Sequence, residues 1–110
     1  MQDKLTINLG LENNNHTSDV CVAMFNGSFG ANNLLSSEVC ESTYLGNVEK
    51  TLILRYENID LWSFELCEQI RQLAVKTTQD CIALKYNGVG VVINRQQPDT
   101  VIFDEQYFVN

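Results

Sequence analysis

Hydrophobic residues recur with a helical period in one long stretch of the chain, between Asp60 and Thr78. At about 100° per residue, one side of this stretch collects the apolar residues that can form a core stripe: Ile59, Trp62, Leu66, Cys67, Ile70, Leu73 and Ala74. Asp60 can cap the helix by accepting hydrogen bonds from the first-turn amides. The pattern therefore predicts one main α-helix over residues 60–77.

Alternation of apolar and polar residues predicts strands on both sides of this helix. Lys4 to Leu11 and Glu49 to Tyr56 each place their apolar residues on one side. The dipeptide Asn87-Gly88 stands between the apolar runs CIALKY and VGVVIN. Because this dipeptide accepts the positive φ angles of a tight two-residue turn, the segment predicts a β-hairpin.

The remaining segments give weaker patterns. Asp19 to Phe25 is apolar on both sides, which predicts a central strand, and Asn26-Gly27 after it predicts a hairpin turn. Leu34 to Asn47 has no sustained period and is expected to form a helical turn or a loop. Thr100 to Phe103 is expected to form a further strand.

These elements indicate an α+β fold. We expect a single domain over residues 1–110, with a mainly antiparallel sheet of about five to six strands packed on one main helix.

The charge of the chain restricts its partners. Fourteen acidic residues against seven basic ones give a net charge of −7, which disfavours direct nucleic-acid binding and favours a basic protein partner. The sequence contains no apolar run long enough for a membrane helix, and its first residues do not resemble a signal peptide. We therefore expect a cytoplasmic protein that does not bind membranes, and its oligomeric state stays open.

Catalytic and metal-binding patterns are missing from the sequence. The four cysteines, at positions 21, 40, 67 and 81, form no CxxC pair, and His16 is the one histidine. Free thiols in a reducing compartment are expected, with one disulfide as the alternative. No phosphate-binding or calcium-binding loop occurs. We accordingly expect no metal, no cofactor and no enzymatic activity.

The outer side of the predicted helix is the best candidate for a binding surface. It combines carboxylates with apolar residues that the core does not require, and Asp104-Glu105 adds an acidic pair near the end of the chain. Aromatic anchors among charged groups are typical of protein interfaces. The predicted partner-binding residues are Asp60, Leu61, Phe64, Glu65, Glu68, Gln72, Asp104 and Glu105.

Three functions fit these features. The first is a small acidic inhibitor that occludes the functional surface of a basic partner, as bacterial immunity proteins do to nuclease toxins. The second is a phage-encoded inhibitor of a defence complex, such as an anti-CRISPR protein, which presents carboxylates where phosphates would lie. The third, of a different class, is a small structural or assembly protein that self-associates through a strand edge.

The phase of the helix can be tested by replacing Phe64 with Ala. If Phe64 lies on the outer side, the substitution weakens partner binding and leaves the melting temperature nearly unchanged. A loss of stability as large as that of a buried Phe→Ala change, about 3–5 kcal/mol, would instead place Phe64 in the core. Thermal unfolding followed by circular dichroism distinguishes the two outcomes.

Overall fold

The computed structural model describes residues 4–12, 14–44, 46–59, 64–86 and 88–95, without the side chains of Ser42, Tyr44, Phe64, Glu65 and Leu66. Within these ranges the chain forms five strands and two α-helices. In chain order they are β1 (Lys4–Gly10), α1 (Ser18–Phe29), β2 (Leu34–Tyr44), β3 (Asn47–Glu57), α2 (Phe64–Lys76), β4 (Cys81–Tyr86) and β5 (Val89–Asn94). A single 3-10 turn, Ala31–Asn33, joins α1 to β2. The predicted α+β class is confirmed.

All five strands are antiparallel and lie in one sheet, in the order β2-β3-β1-β4-β5. The first strand is therefore the central one, paired with β3 on one side and β4 on the other. The predicted C-terminal hairpin is confirmed: β4 and β5 pair in a register that places Tyr86 opposite Val89 and Ile82 opposite Ile93. Gly88 in its turn has a φ of 85°, which glycine adopts without a steric cost.

Both helices pack on the same face of the sheet. That face carries Leu5, Ile7 and Leu9 of β1, and both helices place apolar residues over it. The helix residues in this core are Cys21, Phe25 and Phe29 of α1 and Cys67, Ile70, Leu73 and Ala74 of α2. The core stripe predicted for α2 is thus confirmed where side chains are described, while Trp62 and Leu66 lie outside the description.

The centre of the sheet is also buried on the face opposite the helices. Ile53 is 1% exposed, and its neighbours across the sheet in the same row, Asn8, Ala83 and Val92, are buried too. The alternation of side chains along a strand places this row opposite the two helices. The middle of the sheet therefore presents no open apolar surface.

The predicted strand at Asp19–Phe25 and the hairpin turn after it are wrong, because these residues form α1. Thr17 caps the helix by accepting a 3.3 Å hydrogen bond from the amide of Val20, and Asp19 lies in the first turn, where a negative charge is favourable. Gly30, at a φ of 91°, ends the helix. Apolar residues on both sides of this segment also fit a strand that is buried on both faces. The buried residues, however, recur every four positions, as in a helix.

The predicted loop or helical turn between Leu34 and Asn47 is also wrong. Residues 34–44 form β2, an edge strand whose partner is β3. Its described side chains are exposed or half-buried on both faces, so hydrophobicity does not alternate along it. Pairing with β3, rather than burial of one face, makes this segment a strand.

The described part of α2 begins at Phe64, and the predicted start at Asp60 lies outside the described residues. The helix ends with a left-handed residue, Thr78, at a φ of 56°. The amides of Thr78 and Gln79 donate to the carbonyls of Val75 and Ala74, the pattern of a Schellman cap. Neither helix of the described chain combines the length and the apolar character that crossing a membrane requires. The predicted strand Thr100–Phe103 lies outside the described residues.

Replacing Gly27 with Ala tests the assignment of α1 directly. A Cβ atom at this position meets nothing within 4 Å. Ala in an exposed helix interior is favoured over Gly, so we expect the free energy of unfolding to rise by about 0.5–1 kcal/mol. Urea unfolding gives the value.

Gly30→Ala is the matched control. Its φ of 91° is unfavourable for any side chain, and a Cβ would lie 3.0 Å from Asn33 Nδ2. This substitution should lower the free energy of unfolding by about 1 kcal/mol or more. If Gly27→Ala destabilised the protein to a similar extent, residue 27 would lie in a turn and α1 would be refuted.

Candidate protein-binding surface

The outer side of α2 was the predicted binding surface, and two of its residues have described side chains. Gln72 is exposed and Glu68 is half-buried, and Val75 beside them on this side is also exposed. The structure therefore brings Glu68 and Gln72 together on the solvent side of the helix, as predicted. Phe64 and Glu65 belong to α2, although their side chains lie outside the description, as do the residues Asp60, Leu61, Asp104 and Glu105.

Glu68 is engaged by a cation on its own helix. Arg71, one turn later, donates through Nε to both carboxylate oxygens at 3.0 Å, and its Nη2 also contacts Glu68 Oε1. These hydrogen bonds hold the pKa of Glu68 below its ordinary value. The carboxylate is ionised but already paired, so it presents less charge to a partner than the sequence suggests.

Arg71 also connects α2 to the end of the sheet. Its Nη1 donates a 3.1 Å hydrogen bond to the carbonyl of Arg95, directly after β5. The side chain of Arg95 in turn lies 3.4 Å from Asp80, at the start of β4. This chain of polar contacts attaches the outer side of α2 to the C-terminal hairpin.

Negative charge is distributed unevenly between the described body and the rest of the chain. The described ranges contain nine acidic and all seven basic residues. Three of the basic residues form ion pairs there: Arg55 with Glu38, Arg71 with Glu68, and Arg95 with Asp80. The acidic residues outside the described ranges, with no basic residue among them, are Asp3, Asp60, Asp99, Asp104 and Glu105. Five of the seven net negative charges therefore lie outside the described ranges, three of them after β5.

The cysteines of the described chain are free thiols, as predicted. Cys21 is buried beside Asn14, and burial raises its pKa. Burial and the nearby carboxylate of Asp80 likewise raise the pKa of Cys81. A raised pKa leaves little thiolate at neutral pH, so both groups are poor nucleophiles. The described residues also contain no cluster of three or more histidine, cysteine or acidic side chains that could hold a metal ion.

A second accessible surface is the outer edge of β2, which the sequence pattern did not indicate. The register of β2 on β3 is regular from Ser36 to Tyr44, with an irregularity between Leu34 and Ser36. No described strand pairs with the other side of β2. Two exposed valines lie near this edge, Val39 on β2 and Val48 on β3. The lack of glycine and proline from Leu34 to Tyr44 was the available sequence signal for a strand.

The direction of the backbone amides and carbonyls along β2 can be inferred from one hydrogen bond on the opposite side of β3. The amide of Leu11 donates to the carbonyl of Lys50 at 3.0 Å, so the backbone of Lys50 points towards β1. Its neighbour Thr51 must then point towards β2, where it pairs with Cys40. Alternation along β2 consequently turns the amides and carbonyls of Ser37, Val39, Glu41 and Thr43 outward.

Alkylation with iodoacetamide under native conditions should rank the four thiols by access and thiolate content. We expect Cys40, half-buried on the edge strand, to react first, and Cys81 to follow more slowly because its raised pKa limits the thiolate. Cys21 and Cys67 should be protected. Peptide mass spectrometry measures the order, and in denaturant all four should react at similar rates. Fast native labelling of Cys21 would contradict its burial between α1 and the sheet.

Comparisons with known proteins provide limited information. No protein-family model matches the chain, and no curated protein matches it. A solved structure of a phage SAM lyase in the apo state is similar, with a TM-score of 0.48 and 12% sequence identity over 84% of this chain and 87% of that chain. A likeness of this degree assigns neither a fold family nor an activity to the chain.

Proposed function

We propose that the protein acts by binding a basic protein and occluding its functional surface, without catalysis of its own. The observation that carries this proposal is the separation of charge. Nine acidic and seven basic residues lie in the described ranges, whereas the segments beyond them add five acidic residues and no basic one. Three of these five carboxylates follow β5 and one precedes α2, and such a concentration suits a cationic partner better than evenly spread charge would.

The geometry of α2 supports the same proposal. Its outer side presents Gln72 and Val75 to solvent, and Glu65 adds a carboxylate earlier in the helix. In the chain, Asp60 precedes α2, and three acidic residues follow Arg95, whose carbonyl accepts a hydrogen bond from Arg71. The described side chains on the outer side of α2 combine apolar, amide and carboxylate groups.

A nuclease-type toxin is the partner that this chemistry fits best, which makes the protein an immunity protein. A nuclease needs a basic surface for the phosphates of its substrate, and carboxylates can occupy that surface in their place. Nucleic-acid-binding effectors of a defence complex have the same kind of surface. An anti-CRISPR role consequently rests on the same physics and differs in the partner that is captured.

Affinity capture from the native host followed by mass spectrometry tests the proposal. The expected leading hit is a basic nuclease, encoded directly upstream of this gene, whose activity falls when the purified protein is added. Capture of a CRISPR effector would change the identity of the partner and would still agree with a mechanism of occlusion. If no basic protein is captured at low salt, or a captured nuclease stays fully active in the complex, the proposal fails.

Reversal of two helix charges should weaken partner binding. We expect Glu65→Lys/Glu68→Lys to lower the association rate constant about tenfold or more at low salt, because opposite fields accelerate encounter. The effect should shrink as salt is added, since screening removes steering. Stopped-flow or surface plasmon resonance measurements provide the rate constants, and circular dichroism checks that the fold is retained.

Glu12→Lys/Asp19→Lys is a control with the same change in net charge. Both residues are exposed. The side-chain amide of Gln79 donates to the carbonyl of Glu12, beyond the C-terminal end of α2, and Asp19 lies in the first turn of α1. We expect this control to slow association less than the helix variant does. Equal slowing by the two variants would show that net charge alone is responsible, and would remove the helix from the interface.

A further inference from the structure

The outer edge of β2 is the longest open hydrogen-bonding surface of the described chain. β2 spans 11 residues and pairs with β3 on its inner side, and no described strand covers its outer side. Ser37, Val39, Glu41 and Thr43 turn their amides and carbonyls outward there, as derived above from the Lys50 contact. An exposed edge of this length is a template for another strand.

We propose that this edge pairs with the same edge of a second copy of the chain. The two β2 strands run antiparallel. They are related by a twofold axis that is perpendicular to the sheet and passes between the two copies of Val39. The two five-stranded sheets then form one continuous sheet of ten strands, and the helices of both copies lie on the same face. The dimer does not depend on the inhibitory role proposed above.

The sequence of β2 is self-complementary in this register. With Val39 opposite its copy, Ser37 lies opposite Glu41, and each end of the 11-residue strand meets the other end of its partner. These pairs turn their backbone groups towards each other, so about six interstrand hydrogen bonds can form. Over all 11 residues of β2 this register gives the greatest overlap, although the regular stretch from Ser36 to Tyr44 is centred on Cys40.

Neighbouring registers are less favourable. An axis through Glu38 or through Glu41 places a carboxylate directly opposite itself, which destabilises an antiparallel pair. An axis through Cys40 aligns the whole regular stretch from Ser36 to Tyr44, but it places Val39 opposite Glu41 and so loses the apolar contact between the two valines. In the register centred on Val39, Glu38 stays paired with Arg55 of its own chain, at 2.7 Å, and faces Cys40 of the second copy.

The side chain at the axis is available for such a contact. Val39 is 49% exposed in the monomer, and the twofold axis brings it against its copy, where both valines lose solvent contact. Val48 lies on the same face of the neighbouring strand β3 and is 69% exposed. The two valines therefore resemble each other in type, face and exposure but differ in their distance from the axis.

This pair of valines gives a matched experiment. Size-exclusion chromatography with multi-angle light scattering on the isolated protein should show a dimer that added salt does not dissociate. Val39→Lys places two ammonium groups opposite each other, and we expect it to raise the dimer dissociation constant about tenfold or more. Val48→Lys should leave that constant unchanged, and both variants should keep the circular dichroism spectrum of the folded wild type. A wild type that remains monomeric at its highest soluble concentration, or equal weakening by both variants, would overturn the proposal.

A cysteine at the axis tests the register separately. Cα atoms of a directly opposed hydrogen-bonded pair lie about 5.5 Å apart, within the range of a disulfide. Val39→Cys in a Cys40→Ser background should therefore form a covalent dimer on mild oxidation, read on a non-reducing gel. The wild type should not link through Cys40, which is offset from its copy by two residues. A Cys40–Cys40 disulfide in the wild-type dimer would overturn the register centred on Val39.

Discussion

The structure depends on the packing of two helices against one apolar face of the sheet. The stripe of α1 and the stripe of α2 cover the side chains that β1, β3 and β4 direct to that face. Tyr56 links the layers, because its buried ring packs against Phe29 and its hydroxyl donates a 2.7 Å hydrogen bond to Asn26 Oδ1. Burial raises the pKa of Tyr56, so this hydroxyl remains a donor at any ordinary pH.

Segments that bury one face could be predicted from the sequence, because their pattern follows the geometry of the element. β1, β3, the C-terminal hairpin and the core stripe of α2 all belong to this group. α1 could not be recognised from periodicity, since Val20, Val22 and Met24 make its partly exposed sides as apolar as its buried stripe. Its helical state was indicated by Thr17 at one end and Gly30 at the other, which are local signals.

Two features depend on pairing between separate segments: the formation of β2 and the charge of the binding surface. The pattern of hydrophobic residues does not predict such pairing. β2 is a strand because β3 supplies its hydrogen bonds, and its own side chains would suit a loop equally well. The pairing of Glu68 could have been anticipated, since Arg71 follows at the i,i+3 spacing of helical ion pairs. By contrast, the ion pairs of Arg55 with Glu38 and of Arg95 with Asp80 join residues far apart in sequence, so they could not be anticipated from local spacing.

The central position of β1 has a consequence for how this protein folds during synthesis. β3 and β4 do not pair with each other, so the sheet is continuous only through the seven residues from Lys4 to Gly10. During synthesis the first strand can join β3 early, but its other edge stays unoccupied until β4 and β5, more than 70 residues later, have been made. The hairpin of β4 and β5 therefore completes a partly built sheet, and a nascent chain exposes the unfilled edge of its first strand until β4 has been made.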